Sequence, residues 1–596
     1  PPKSQEAMLT RNDDGTYTVF DTDGKTYIFD VEGKLTSVSS PEDDKQPAAL
    51  KYEYGYTPAR LTKISDGVNQ ARSGTLYYKG YNDSECEVLS GFDPAPNGML
   101  CAFKTTDGKK TTFQYESDNL ARVALPGNDY EDYKYDAFGR IISYRDTLAN
   151  DAIAYGVRQD NAEANSEITY DGLGRVASTK APAPTAGATR VESTVNYLAG
   201  ATEFHVVGAS EPHGFSKKVT YDSLFRTTSE TDLANLTTYT QWHNDKDLVL
   251  STTDPTGLKS TTIYNEDDLP VDSYGPAPAS WFGSDNKPLA GEVNNVPHVK
   301  SGYDEGITGL GVAYYNNKKL LSAPKLNSTS TWATSADVKE TFANGSAPVT
   351  PTDGWSARYT GKIKLSATGN HSFKLRGDAG FRLYIDDELI VDGWGGGTLS
   401  GGDNTVSGAT AFNNTEANST HRIRIEQYHA ATGATSIQLY MTAPSASETS
   451  VLSSILSPNY GLTTSTTSYD SQLGNLTSNI QYSKPEYGLV SSTTLDPTGL
   501  NLQSQATYES AGSGFLRQTS KTLPGGTTTQ YEYYSATDTR DNPCTPATES
   551  TLQSGFIKRK IEQDPDAAGS QQSRTSEYVY DAVSYTHLTL PTKRIV

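Results

Sequence analysis

The stretch Tyr133-Lys134-Tyr135-Asp136-Ala137-Phe138-Gly139-Arg140-Ile141 decides the fold. Up to Tyr135 the pattern alternates, as a half-buried strand does. Asp-x-x-Gly is turn chemistry: the carboxylate caps the turn and glycine supplies a positive φ. Arg140-Ile141 then opens the return strand, so the unit reads as a β-hairpin. The same unit stands at Tyr27-Ile28-Phe29-Asp30-Val31-Glu32-Gly33-Lys34-Leu35, at Tyr170-Asp171-Gly172-Leu173-Gly174-Arg175-Val176, and, without the glycine, at Tyr221-Asp222-Ser223-Leu224-Phe225-Arg226. Weaker copies surround Tyr115, Tyr264 and Tyr469, and Tyr578-Val579-Tyr580-Asp581-Ala582 begins another. A second turn, Asp254-Pro255-Thr256-Gly257-Leu258, recurs word for word at Asp496-Pro497-Thr498-Gly499-Leu500. An isolated hairpin is marginal in water, so the units must stack on their neighbours. The expectation is an all-β, repeat-built chain.

Composition agrees. The 596 residues allow several domains. Tyrosine outnumbers the other aromatics, 38 against 16 Phe and 5 Trp. It suits a half-buried pleated surface, with the ring inside and the hydroxyl reaching water. A net charge of -21 excludes a nucleic-acid partner, whose phosphates need basic patches. No apolar run approaches the roughly 18–20 residues of a membrane span. The chain opens Pro1-Pro2-Lys3-Ser4 and reads as a piece of a longer polypeptide. Cys86 and Cys101 are either a bridged pair or two unrelated small residues, and Cys544 stands apart.

The Tyr-Asp units resemble the RHS (rearrangement-hotspot) repeat family, shared with teneurins and the shell components of insecticidal toxin complexes. The resemblance covers residues 1–300 and 446–582. It implies a hairpin ribbon forming part of a spiral shell, on a secreted or cell-surface protein. Bacterial members often enclose a C-terminal toxin. A partial ribbon would expose strand edges, so this chain is expected to be poorly soluble alone.

Residues 301–445 break the repeat. They run through Trp355-Ser356-Ala357-Arg358-Tyr359, then His371-Ser372-Phe373 to Asp378-Ala379-Gly380-Phe381-Arg382-Leu383-Tyr384-Ile385-Asp386, then Leu389-Ile390-Val391-Asp392-Gly393-Trp394. Alternation either side of Asp386-Asp387-Glu388 predicts a β-sandwich or barrel. These motifs, in this order, resemble the protective-antigen-type (PA-14) domain, a lectin-like fold of adhesins, glycosidases and toxins. In calcium-dependent relatives two adjacent aspartates hold Ca2+, which holds sugar hydroxyls; hard oxygen ligands suit that ion. The matching positions are Asp378 and Ala379, so one carboxylate is missing. Asp403 and Asn404 supply further oxygens if the fold brings them to Asp378, and Trp394 offers a ring for a sugar face.

No catalytic residue is assigned. The eight histidines stand in no metal-ligand spacing, and Gly395-Gly396-Gly397 lacks the Lys and Ser/Thr of a nucleotide loop. Residues 583–596 read as an artefactual tail. The function expected is that of a structural shell with a module that binds a cell-surface glycan or protein. A cell–cell adhesin without a toxin is the alternative, and a glycosidase accessory module ranks below it.

Overall fold

The computed structural model describes residues 7–21, 25–39, 51–65, 72–127, 129–207, 213–330, 339–342, 348–349, 354–395, 403–430, 435–510, 516–535, 537–540, 551–553, 555–563 and 573–580. The proposed tail therefore lies outside the described residues, as does Asp581. The chain is all-β, with one 31-stranded antiparallel sheet and two smaller sheets from the inserted segment. Each strand of the large sheet pairs with its predecessor in the chain, so its hairpins form a single ribbon. Its turns fall into two rows. One row carries the Tyr-Asp turns and is called here the tyrosine edge; the other is the far edge.

The Asp turn has one geometry throughout. Asp136 Oδ1 accepts from the N–H groups of Phe138 (2.9 Å) and Arg140 (3.0 Å), and its own N–H donates to the Arg140 carbonyl at 2.9 Å. Gly139, at φ 75°, supplies the left-handed step. Arg140 Nε donates to Asp136 Oδ2 at 2.8 Å. Asp171 and Asp222 repeat every one of these side-chain bonds. The Arg140 N–H and guanidinium hold the Asp136 carboxyl below its ordinary range.

Many of the ribbon tyrosines send their hydroxyls to backbone carbonyls and not to water. Between most hairpins the ladder joins only the far-edge halves of the strands, as where Ser143 faces Glu167 and Tyr144 faces Ser166 with no pairing beyond; Tyr17–Phe20 with Thr26–Phe29, and Ala201–Val206 with Lys217–Tyr221, pair up to the tyrosine edge instead. Towards the tyrosine edge the strands separate, and a ring fills the gap. Tyr170 donates to the Ile141 carbonyl at 2.7 Å. The same bond runs from Tyr115 to Leu100 (2.7 Å), Tyr264 to Val249 (2.9 Å), Tyr482 to Thr463 (2.8 Å) and Tyr533 to Gln518 (2.7 Å). Trp242 substitutes its indole N–H, 2.7 Å from the Thr227 carbonyl. Each acceptor is the first residue of the preceding return strand, whose carbonyl the separation would leave unpaired. The arginine of one turn covers the ring of the next: Arg140 lies 4.4 Å from the Tyr170 centroid, Arg175 4.2 Å from Tyr197, and Arg517 4.1 Å from Tyr533.

Tyr469 is an exception to the sequence reading. The strand Thr463–Tyr469 runs to the far edge, so Tyr469-Asp470 is not a copy of the unit, and its ring stacks on His298 instead. The two Asp-Pro-Thr-Gly-Leu segments also differ. The first places Gly257 at φ 86°; in the second the left-handed residues are Asp496 at φ 51° and Asn501, one residue beyond the motif, at φ 49°.

Insertions enter at the tyrosine edge. The strand His298–Tyr303 pairs directly with Thr463–Tyr469, so the ribbon continues across the inserted segment. Tyr303 donates to the Pro270 carbonyl at 2.9 Å, as the other ribbon tyrosines do. Asp304 N–H donates to the Leu462 carbonyl (2.8 Å), Asp304 Oδ1 accepts from Leu462 N–H (3.0 Å), and Oδ2 accepts from Tyr460 and Gly461 N–H (2.9 Å each). Gly461 stands at φ 66°. Tyr303-Asp304 and Tyr460-Gly461-Leu462 are thus the two halves of one Asp turn, which the sequence reading missed. A shorter insertion, closed by Lys79 N–H on the Met99 carbonyl, carries Cys86, whose disulfide to Cys101 settles the alternative left open by sequence. The large insert also extends past residue 445: Thr449–Ser450 pairs with Thr435–Thr442, and Leu456–Ser457 with Ser356–Leu365.

Tyr170→Phe should lower stability by about 1 kcal/mol by stranding the Ile141 carbonyl, and Tyr170→Ala should cost about 3 kcal/mol by also emptying the gap. Denaturant titration of both variants checks the order and the size.

Candidate functional site

The insert is a sandwich of two sheets. One runs in the order Leu326–Ser330, Leu310–Tyr315, Ser356–Leu365, Ser419–Tyr428, Gly380–Ile385, Glu388–Gly393; the other runs Lys339–Phe342, Thr435–Thr442, Gly369–Asp378, Asp403–Ser407. Alternate residues of both close on one core, with Trp355, Tyr359, Ile363, Leu375, Leu383 and Ile425 fully buried. The ribbon has no core of this size among the described residues.

Four residues singled out from the sequence lie along one end of this sandwich. Asp378 is the last residue of its strand and stands directly opposite Asp403, the first of the next, while Gly377 faces Asn404. Opposed residues in an antiparallel pair have Cβ atoms about 5 Å apart. The side chains of Asp378 and Asp403 lie outside the described residues; their backbone positions carry the juxtaposition. Asn404 Nδ2 donates to the Ala379 carbonyl at 3.0 Å, tying that strand to the step between the two sheets. Ala379 adopts φ 56° and is fully buried, so the position lacking a carboxylate is closed over as well. Gly393 faces Phe381 across its ladder, which brings the following Trp394 to the same end.

Trp394 is half-buried. Arg382 lies over its ring, 4.2 Å from the centroid, and Tyr428 meets it edge-on at 4.9 Å. One face of the indole is therefore occupied from within the protein. Arg382 belongs to an ion network on the outer face of the first sheet, which sequence did not reveal. Glu426 accepts from Arg358 Nε at 3.0 Å and from Arg382 at 2.5 Å, and Arg358 also donates to the Tyr315 hydroxyl at 3.1 Å. Burial alone would push the Glu426 carboxyl up; Arg358, Arg382 and Arg424 outweigh it and hold the group below its ordinary range. Arg358 and Arg382 each stand in register with Glu426, from the strands on its two sides, a relation that becomes visible only once the strands are paired.

At the opposite end Asp386, His421 and Ser419 line up, with Asp386 Oδ2 2.8 Å from His421 Nδ1 and His421 Nε2 2.9 Å from Ser419 Oγ. Ser419 Oγ sits closer, at 2.7 Å, to both Asn414 Oδ1 and the Glu416 carbonyl. Its proton is directed to those acceptors, and the group works as a clamp between a hairpin and a loop. Among the described residues no three His, Cys, Asp or Glu side chains gather as a metal cluster.

Residues 306–454 match the family model described as the PA14 domain. This chain carries a PA14 domain. No curated protein matches the chain. Among solved structures, it is similar to an anti-sigma factor domain-containing protein at 19% identity, over 34% of this chain and 59% of that one, with a TM-score of 0.23. The PA14 sugar-binding domain from an RTX adhesin is 16% identical, over 26% of this chain and 100% of that one, with a TM-score of 0.20. The structure titled TcdB2-TccC3-TEV is 10% identical, over 96% of this chain and 20% of that one, with a TM-score of 0.25. The chain thus spans less than two thirds of the length of the first and one fifth of the last.

The Glu426 carboxylate favours the folded state above the ordinary glutamate range, and that contribution is lost as pH falls through its lowered folded value. Glu426→Gln should therefore cost about 3 kcal/mol at neutral pH, because Arg358 stays buried without its counter-charge. It should also flatten the decline in stability below about pH 4.5. Thermal melts across pH check both.

Proposed function

We propose that the PA14 domain is a binding module for a cell-surface glycan or protein, carried on a Tyr-Asp ribbon that serves as structural shell. The observation that carries this reading is the convergence of Asp378, Asp403, Asn404 and Trp394 on one end of the insert. Opposed carboxylate-bearing residues beside an amide make an oxygen-rich set of the kind Ca2+ takes, and a bound ion would present open positions to vicinal hydroxyls. Asp403 then stands in for the carboxylate absent at Ala379. Trp394 borders the site through its ring edge, since Arg382 covers one face.

The parent protein, on this reading, is a large secreted or cell-surface protein of the RHS-repeat type, with no catalytic step assigned to this part of it. The regular Asp turn, the tyrosine bond across each gap and the unbroken strand order support a stacked-hairpin ribbon. A toxin enclosed by the full shell and an adhesin without one are both compatible with such a ribbon, and the coding sequence downstream of Asp581 separates them.

A glycan array probed with and without calcium tests the module. Calcium-dependent binding that Asp378→Ala and Asp403→Ala each weaken by about tenfold or more supports the site. Glycan binding indifferent to calcium and to both substitutions contradicts it.

A further inference from the structure

Two contacts between distant parts of the chain mark where the ribbon meets itself. Arg72, just before the strand Ser73–Tyr78, lies over the ring of Phe556, just before Ile557–Glu562, 5.0 Å from the centroid. Counted along the described strands of the large sheet, these two are the seventh and the thirtieth, 23 apart. The other contact joins the first hairpin, Met8–Arg11 with Tyr17–Phe20, to the PA14 domain. That domain leaves the ribbon between its twenty-third strand, His298–Tyr303, and its twenty-fourth, Thr463–Tyr469. The first and twenty-fourth strands are again 23 apart. One lap of the curl is therefore 23 strands, or about 110 Å of sheet at the usual spacing, and the domain is inserted one lap after the hairpin it touches.

The first hairpin covers the side of the domain's first sheet that is turned away from the sandwich core. Along Leu310–Tyr315, Val312 and Tyr314 join that core, while Ala313 and Tyr315 point the other way and are nevertheless buried. Leu320 packs on them from the domain and Phe20 from the ribbon. Met8, opposite Phe20 in the hairpin, brings its sulfur to 3.5 Å from Arg424 Nη1. At the turn, Ser322 N–H donates to Asn12 Oδ1 at 2.8 Å, and Lys319 pairs with Asp13 at 2.7 Å. Asn12 holds the capping place of an Asp turn, with its N–H on the Thr16 carbonyl at 2.8 Å and Gly15 at φ 86°. Asn265, an amide at the same place in its own turn, keeps Oδ1 on the N–H groups of Asp267 (3.0 Å) and Leu269 (2.9 Å). Asn12 instead donates from Nδ2 to the Thr16 and Thr18 hydroxyls, at 2.8 and 3.0 Å, and presents its oxygen to the insert. The domain also grips the join: Lys362 pairs with Asp267, and Tyr487 donates to the Asn327 carbonyl at 2.8 Å.

We propose that the PA14 domain is also a clasp: it holds the first hairpin to the join one lap on, and so fixes how far the ribbon curls. Strand pairing alone sets the curl loosely. The twist between neighbouring strands ranges over roughly 25° in sheets, and small departures add along a lap. An apolar contact and a hydrogen bond at the end of the lap remove that freedom. The exposed Lys319–Asp13 pair contributes little, so Phe20 on Tyr315 and Leu320, with the Asn12 bond, carry the contact. This role is independent of whether the domain binds a glycan.

Hydrogen exchange and small-angle X-ray scattering on the full chain test it. Leu320→Ser, in the domain, should speed exchange of the amides of residues 8–20 about tenfold or more, about 300 residues away in the chain. Asn12→Ala, on the ribbon, should in turn speed exchange at Leu320 and Leu321. Both should enlarge the radius of gyration, as the lap opens. Asp171→Ala, which removes the cap of a turn remote from the domain, should loosen its own hairpin and leave the radius of gyration and the Leu320 and Leu321 amides as they are. If Leu320→Ser unfolds the domain, Asn12→Ala against Asp171→Ala carries the comparison. Residues 8–20 as protected in a folded Leu320→Ser variant as in the wild type overturn the proposal. So does Asn12→Ala with the wild-type radius of gyration and unchanged exchange at Leu320 and Leu321.

Discussion

The ribbon depends on a ring wedged between strands that have begun to part. Each hairpin is complete in itself, but most neighbouring hairpins share a ladder only along their far-edge halves. What joins the other half is a tyrosine whose hydroxyl takes the carbonyl left free by the separation. An arginine from the preceding turn covers the ring while its Nε remains bound to its own aspartate. The aspartate thus shapes one turn and, through the arginine, positions the contact with the next. This explains why a chain with little buried core outside its insert is so rich in tyrosine and carries Asp and Arg at a fixed distance after it. Individually each contact is worth about 1 kcal/mol, but it recurs along the ribbon, and stability of such arrays grows with neighbouring interfaces.

The same device accounts for the insertion. The turn needs an N–H and a carbonyl on each side, a carboxylate, and one left-handed residue before the return strand. None of these requires the two sides to be close in sequence. Asp304 therefore closes on Gly461 and Leu462 as Asp136 closes on Gly139 and Arg140. A whole domain enters without disturbing the pairing of the strands on either side. The PA14 domain is then fixed to the ribbon at its base and by lateral contacts such as Thr329 to Glu486 at 2.8 Å.

Much of the fold was legible because local bonds write local patterns. Asp-x-x-Gly-Arg is recognisable since all its bonds fall within five residues. The Tyr303-Asp304 copy escaped notice because its glycine lies over 150 residues away. Tyr469-Asp470 was misread for the opposite reason: it has the local pattern, but strand parity places it on the wrong edge. The candidate site divides likewise. Asp378 and Trp394 were found by motif, whereas the meeting of Asp378 with Asp403 is a matter of register between strands joined by a long connection. The Arg358–Glu426–Arg382 network was invisible because it draws on three strands.

One Asp turn, shaped by Asp304 and spliced apart, holds the two stretches of ribbon in a single sheet. Replacing residues 305–459 by one glycine would rebuild a five-residue turn, Asp304-Gly-Tyr460-Gly461-Leu462. Amide hydrogen exchange at Ser301 and Thr466, which face each other across the join, measures the outcome. Protection within about tenfold of the intact chain is expected if the Asp304 turn carries the join. Loss of protection at both amides, with the hairpins on either side still protected, would contradict it.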